Sequence, residues 1–179
     1  LKNAVGKGAK AMMAKANGQW KWFDEKIQNE MTNEFLAYYG DNILHESKLI
    51  NGVKEFLNWC KKENISMAVC TNKTEHLAVD LLKKIGIYDY FEYVAGYNTF
   101  EYCKPDPRHL ITTIEILDGE INKSIMIGDS ETDANAAKAA EIPIILLKYG
   151  YTEKHSNEIY HNHLIKDFVG IEKIITEYL

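Results

Sequence analysis

The chain has 179 residues, a formal net charge of −5, 46% hydrophobic residues and 26% charged residues. This is the balance of an ordinary globular chain, long enough for one domain with a full core and a small accessory lobe. The acidic excess argues against a general nucleic-acid binder, and no apolar run approaches the ~20 residues that cross a bilayer.

The cysteines are Cys60, Cys70 and Cys103, odd in number and without metal-type spacing. With no signal-peptide pattern either, the expected compartment is reduced and cytoplasmic. There is no internal repeat and no low-complexity segment.

Residues 1–47 read as helical throughout. Ala9, Met12, Met13 and Ala16 fit one apolar face; Phe23, Ile27 and Met31 fit a second, which Phe35, Leu36 and Tyr39 extend. Gly40-Asp41-Asn42 marks a turn. Gly6-x-Gly8-x-x-Ala11 resembles a dinucleotide loop, but no strand-like run precedes it and no βαβ pattern follows. A helix start or a close helix contact is the better reading. An all-helical section before an alternating one suggests a separate lobe.

From Leu49 the pattern changes. Val53, Phe56, Leu57 and Cys60 keep helical spacing, and Lys61-Lys62 suit the end of that helix. Ser66 to Cys70 reads as a short buried strand that ends at Thr71-Asn72-Lys73. A helix follows, with Leu77, Ala78, Leu81 and Leu82 on one face and Gly86 as its cap. Tyr90 to Ala95 is the next strand candidate. A loop then carries Cys103-Lys104-Pro105-Asp106-Pro107, with Asp106 as a cap and Pro107 in first helical position. Leu110, Ile111, Ile114 and Leu117 form that helix's face. Pro143 to Leu147 and His163 to Ile165 read as extended, and a last helix spans about Ile171 to Tyr178.

Between these lies Ser124 to Ala140, SIMIGDSETDANAAKAA. Ile125 to Ile127 has the length of a buried strand; Gly128-Asp129-Ser130 breaks it; Ala134 to Ala140 has high helix propensity. Three readings compete for its acids. A residue from Asp129 to Thr132 could cap the helix, with acids in its first turn. A calcium loop fails, because the sixth position is Ala134 and the twelfth Ala140. A magnesium site, with a hard carboxylate at a strand end and a second acid in support, needs partners elsewhere.

Short strands alternating with helices predict an α/β fold, a Rossmann-like parallel sheet covered on both faces. Right-handed crossovers bring the strand ends to one edge. Thr71 and Asp129 then share that rim, and Lys104 reaches it from its loop. A hydroxyl, an ammonium and a carboxylate suit a phosphoryl group with its metal. Each has a bland alternative: Thr71 as a strand end, Lys104 as a solvated loop lysine. His109 reads as a helix-surface histidine.

The segments AVCTNK (Ala68 to Lys73), CKPDP (Cys103 to Pro107) and GDSETDANAAKAA (Gly128 to Ala140) resemble the second, third and fourth motifs of the haloacid dehalogenase superfamily, in its phosphoglycolate-phosphatase-like branch. LINGVKEFL (Leu49 to Leu57) resembles the lead-in to the second motif, with Asn51 where proline is usual. VGKGAKAMM (Val5 to Met13) looks like part of that branch's helical cap. The resemblance covers nearly the whole chain. It implies a partial helical cap over residues 1–47 and a core of the same superfamily's type over 48–179. It further implies catalysis by attack of an aspartate on phosphorus and hydrolysis of the phospho-aspartyl enzyme. Thr71 would bind phosphoryl oxygens with Asn72 beside it, and Lys104 would stabilise charge. Asp129 would ligate Mg2+, and Asp133 would orient that metal shell. The cap would exclude water.

The family's first motif, Asp-x-Asp-x-Thr, is absent from the sequence; Asp80, Asp89 and Asp118 sit in the wrong contexts. The resemblance places the missing first strand between the Thr71 and Asp129 strands. Strands lie about 4.8 Å apart, so its absence leaves a gap of roughly 10 Å that no hydrogen bond spans. The expectation is therefore either a fragment of a longer polypeptide or a catalytically dead chain; if it folds alone, another element, including one from a second copy in a homodimer, should fill the gap. The expected activity is Mg-dependent hydrolysis of a small phosphorylated metabolite, with 2-phosphoglycolate favoured. Pyrophosphatase, sugar-phosphate phosphatase and phosphomutase chemistry stay open, as does a non-catalytic binding module. The segment Trp20 to Phe23 is expected as an exposed patch once its cap partner is gone.

Overall fold

The computed structural model describes residues 25–45, 47–150, 152 and 154–178. The expectations for Ala9 to Ala16, the Gly6-x-Gly8 segment and Trp20 to Phe23 lie outside the described residues.

The elements run α1 (Glu25–Asp41), α2 (Val53–Lys62), β1 (Ala68–Cys70), α3 (Glu75–Lys84), β2 (Tyr93–Ala95), α4 (Arg108–Ile116), β3 (Met126–Gly128), α5 (Glu131–Ala139), β4 (Ile144–Leu147), β5 (His163–Ile165) and α6 (Glu172–Ile175). The alternation is that expected of a Rossmann-like α/β fold. The strands are shorter than the apolar runs that announced them, and Tyr88–Tyr90 forms a single 3-10 turn ahead of β2. The last helix covers Glu172 to Ile175 only.

All strand pairs are parallel. Residues Ile144, Ile145 and Leu146 of β4 are fully buried, as befits a strand covered on both faces. Successive side chains point to opposite faces, so two core layers form. Ile144 and Leu146 pack with Leu110 of α4 and the alanines of α5. Ile145 packs with Phe56 and Cys60 of α2 and with Ile171 and Ile175 at the carboxyl end. The alanines let α5 approach the sheet closely: Ala134, Ala136 and Ala137 have no exposed surface.

The sheet is divided. Among the described residues β1 pairs only with β2, and β3–β4–β5 form a second sheet. No backbone hydrogen bond joins β1 to β3. The two halves nevertheless share both layers: Cys70 of β1 lies in the layer of Met126 and Leu146, and Met67 in that of Ile125 and Ile127. They stand side by side in one sandwich with an unpaired edge on each.

On α1, Ile27 and Met31 of the expected apolar face are 40% and 38% exposed. The carboxyl end of α1 does meet the core, where Lys73 Nζ donates to Tyr39 Oη at 2.6 Å.

Candidate functional site

Thr71 follows β1 directly and Asp129 follows β3 directly, so both stand at carboxyl ends of parallel strands, where α/β sheets place their ligands. Thr71 N–H donates to Ala95 O of the neighbouring strand end at 2.8 Å, which fixes the start of the loop. Its Oγ1 accepts the Lys73 N–H at 3.1 Å, leaving the hydroxyl proton to donate.

Lys104 is the hub. Its side chain is 6% exposed, and Nζ donates to Cys70 O at 2.5 Å and to Asp133 Oδ1 at 2.6 Å. One ammonium thus joins the end of β1 to the first turn of α5, across the divide between the half-sheets. An ammonium has three protons; among the described residues the third has no partner. Asn72 Nδ2 donates to Lys104 O at 2.8 Å and ties the two loops together.

Asp133 is held from all sides. Its Oδ2 accepts from Asp129 N–H at 3.1 Å, Ser130 N–H at 3.0 Å and Ser130 Oγ at 2.6 Å. Ser130 is the N-cap of α5 and closes a capping box with Asp133. Burial alone would raise the Asp133 pKa; the Lys104 ammonium and these donors outweigh it and hold the carboxyl below its ordinary range. With both oxygens engaged, Asp133 suits the orientation of the Asp129 loop rather than direct ligation. Gly128 makes this possible, because a Cβ there would lie 2.8 Å from Asp133 Cγ.

Thr71, Asn72, Lys104, Asp133 and Asp129 therefore form one connected cluster at one rim. Among the described residues no three His, Cys, Asp or Glu side chains gather as a metal cage. Mg2+ does not require one: it takes one or two carboxylates, with waters and substrate phosphate completing the shell. Asp129, a half-buried carboxylate at a strand end, fits such a site as one hard ligand.

His109 departs from expectation. It is a fully buried residue in the first turn of α4, not a helix-surface one. The predicted inward face, Leu110 and Ile114, packs on the sheet, while a second side is covered by the loop carrying Phe100 and Lys104. Burial, then the neighbouring Lys104 charge, push its pKa down to about 4. The N-cap of α4 is Pro107, one residue later than expected, and Asp106 just ahead of it accepts the Arg108 N–H at 3.0 Å. Burial pushes the thiol of Cys70, beside the site, up to about 11, which favours its protonated form.

Gly150, after β4, is a residue that composition and spacing did not single out. A Cβ there would fall on the Asp129 carbonyl oxygen. Gly150→Ala should push the loop off Asp129 and lower stability by about 1–3 kcal/mol. Denaturant unfolding of the variant beside the parent checks this, and an unchanged midpoint would refute the contact.

Residues 2–147 match the family model of haloacid dehalogenase-like hydrolases. The phosphoglycolate phosphatase of Mesorhizobium japonicum is 35% identical over 176 residues, covering 98% of this chain and 78% of that protein. The phosphoglycolate phosphatase of Agrobacterium fabrum is 36% identical over 180 residues, covering 100% of this chain and 77% of its own. Among solved structures, one described as "a predicted phosphoglycolate phosphatase" from Haemophilus somnus 129pt superposes with a TM-score of 0.88 at 26% identity, covering 97% of this chain and 80% of its own. A beta-phosphoglucomutase from Clostridium difficile shares the fold, with a TM-score of 0.83 at 20% identity over 99% of this chain and 79% of its own. With the parallel α/β core, the polar cluster at its rim and these matches together, the chain belongs to the haloacid dehalogenase-like hydrolase family.

Proposed function

We propose that this chain carries the phosphate- and metal-binding machinery of a phosphatase for a small phosphate monoester, 2-phosphoglycolate being favoured. The carrying observation is the buried Lys104 ammonium, bonded at once to the end of β1 and to Asp133, with one proton left to give. That proton, the Thr71 hydroxyl and the N–H groups of the loop would bind phosphoryl oxygens and balance charge as it develops. Asn72 holds the Lys104 loop in register with Thr71. Asp129 would hold Mg2+, with Asp133 fixing its loop. The metal, when bound, supplies Lewis-acid stabilisation to the transferring phosphoryl group.

In this reading the nucleophilic aspartate sits outside this chain, on a strand that enters between β1 and β3; its carboxylate would attack phosphorus and expel the alcohol of the ester, and water would then hydrolyse the phospho-aspartyl bond, releasing phosphate and the free carboxylate. The unpaired facing edges of the two half-sheets support that placement. Residues 1–47 would be part of a cap and 48–179 the core, and the Lys73–Tyr39 hydrogen bond would then be a contact between them. A binding module without turnover is the second reading, favoured by the absence of a nucleophile from the rim among the described residues.

The test is a panel of phosphate esters with and without Mg2+, using the form of the protein that carries the nucleophile. Asp129→Asn should lower magnesium-dependent turnover by about 100-fold or more, since even groups that only support a ligand are worth 10–100-fold. Parent-like turnover of that variant would remove the metal assignment. Binding of phosphate without any turnover would select the second reading.

A further inference from the structure

We infer that His109 is the positioning residue for Lys104, its ring nitrogen holding the lysine's backbone so that the ammonium reaches the site. The Lys104 N–H donates to His109 Nδ1 at 3.2 Å. A buried backbone N–H needs a partner, and no backbone carbonyl provides one here among the described residues. An acceptor at Nδ1 requires the neutral ring with its proton on Nε2.

Nε2 makes no hydrogen bond of ordinary geometry; its one partner is the Gly96 carbonyl, poorly aligned. A buried donor so poorly partnered is costly. A leucine would fill this space without that cost, so packing alone does not account for an imidazole here. What the imidazole supplies and leucine lacks is the acceptor for Lys104. The ring is itself held: Phe100 meets it edge-on at 5.7 Å, and Thr113 Oγ1 donates to the His109 carbonyl at 2.6 Å. The line of restraint runs from α4 through Nδ1 to the Lys104 backbone and on to Cys70 and Asp133.

The catalytic arm of the test rests on the phosphatase reading; the exchange arm does not. In the full-length protein, His109→Leu should raise hydrogen exchange at the Lys104 amide and lower kcat about 10- to 100-fold, the effect of a misplaced catalytic group, with KM changing little. His109→Asn, whose Oδ1 stands where Nδ1 stood, should restore both. Should His109→Leu not fold, the asparagine variant decides: parent-like exchange and kcat support the role, and loss of both overturns it. Unaltered exchange and kcat in His109→Leu would also overturn it. If the parent hydrolyses no phosphate ester, the phosphatase reading fails by itself and amide exchange alone decides the role of His109.

Discussion

Replacing Lys104 by methionine should destabilise the fold by about 3–5 kcal/mol and, on the proposed phosphatase reading, remove magnesium-dependent turnover from the form that carries the nucleophile. The first figure is the cost of leaving one partner of a buried ion pair uncompensated. Lys104 and Asp133 are 6% and 8% exposed, so water cannot replace the lost ammonium. Three donors from Asp129 and Ser130 still solvate Oδ2, but Oδ1 loses its partner. Urea unfolding of Lys104→Met, Asp133→Asn and the double variant measures this. The double variant should be less destabilised than the sum of the singles by about 1–3 kcal/mol. Additive effects would mean that the two groups do not stabilise one another, and the hub would lose its physical basis.

Acidification should weaken the fold over a defined window. Above pH ~6.5 His109 is neutral in both the folded and unfolded chain and its titration contributes nothing. Between its ordinary pKa of 6.5 and its folded value of about 4, the unfolded chain takes up a proton that the folded chain refuses. Stability therefore falls as pH falls through this window, by about 3 kcal/mol in all. Asp133 acts in the same direction further into acid: its carboxyl is held below the ordinary range, so the stability it contributes is lost as pH drops through its folded pKa. Unfolding midpoints at several pH values from 7 to 4 check the first window. His109→Asn, which keeps the acceptor but cannot titrate, should flatten the slope there. An unchanged slope in that variant would assign the acid sensitivity to other groups.

The periodic apolar residues of α2, α3 and α4, and the runs around β1, β3 and β4, mark elements in the sequence because burial of one helix face or of a whole strand leaves a local imprint. Thr71 and Asp129 were legible as rim residues by the same route, since each ends a strand and parallel strands of one handedness end together. Lys104 was legible as a rim residue only through its loop. The sequence does not say that its ammonium would lie buried between Cys70 O and Asp133, because those partners are 34 and 29 residues away and separate helices position them. The same holds for Asp133, legible as an acid in a first helical turn but not as a carboxylate with both oxygens engaged. His109 shows the limit most directly: helical periodicity assigns one buried face to α4, and a loop from elsewhere in the chain covers another. Local spacing thus determined the elements and the order in which the polar groups meet the rim. Which groups are dry, paired and held in place was decided by packing between distant segments, because burial and hydrogen-bond partners are set by what else arrives at the same point in space.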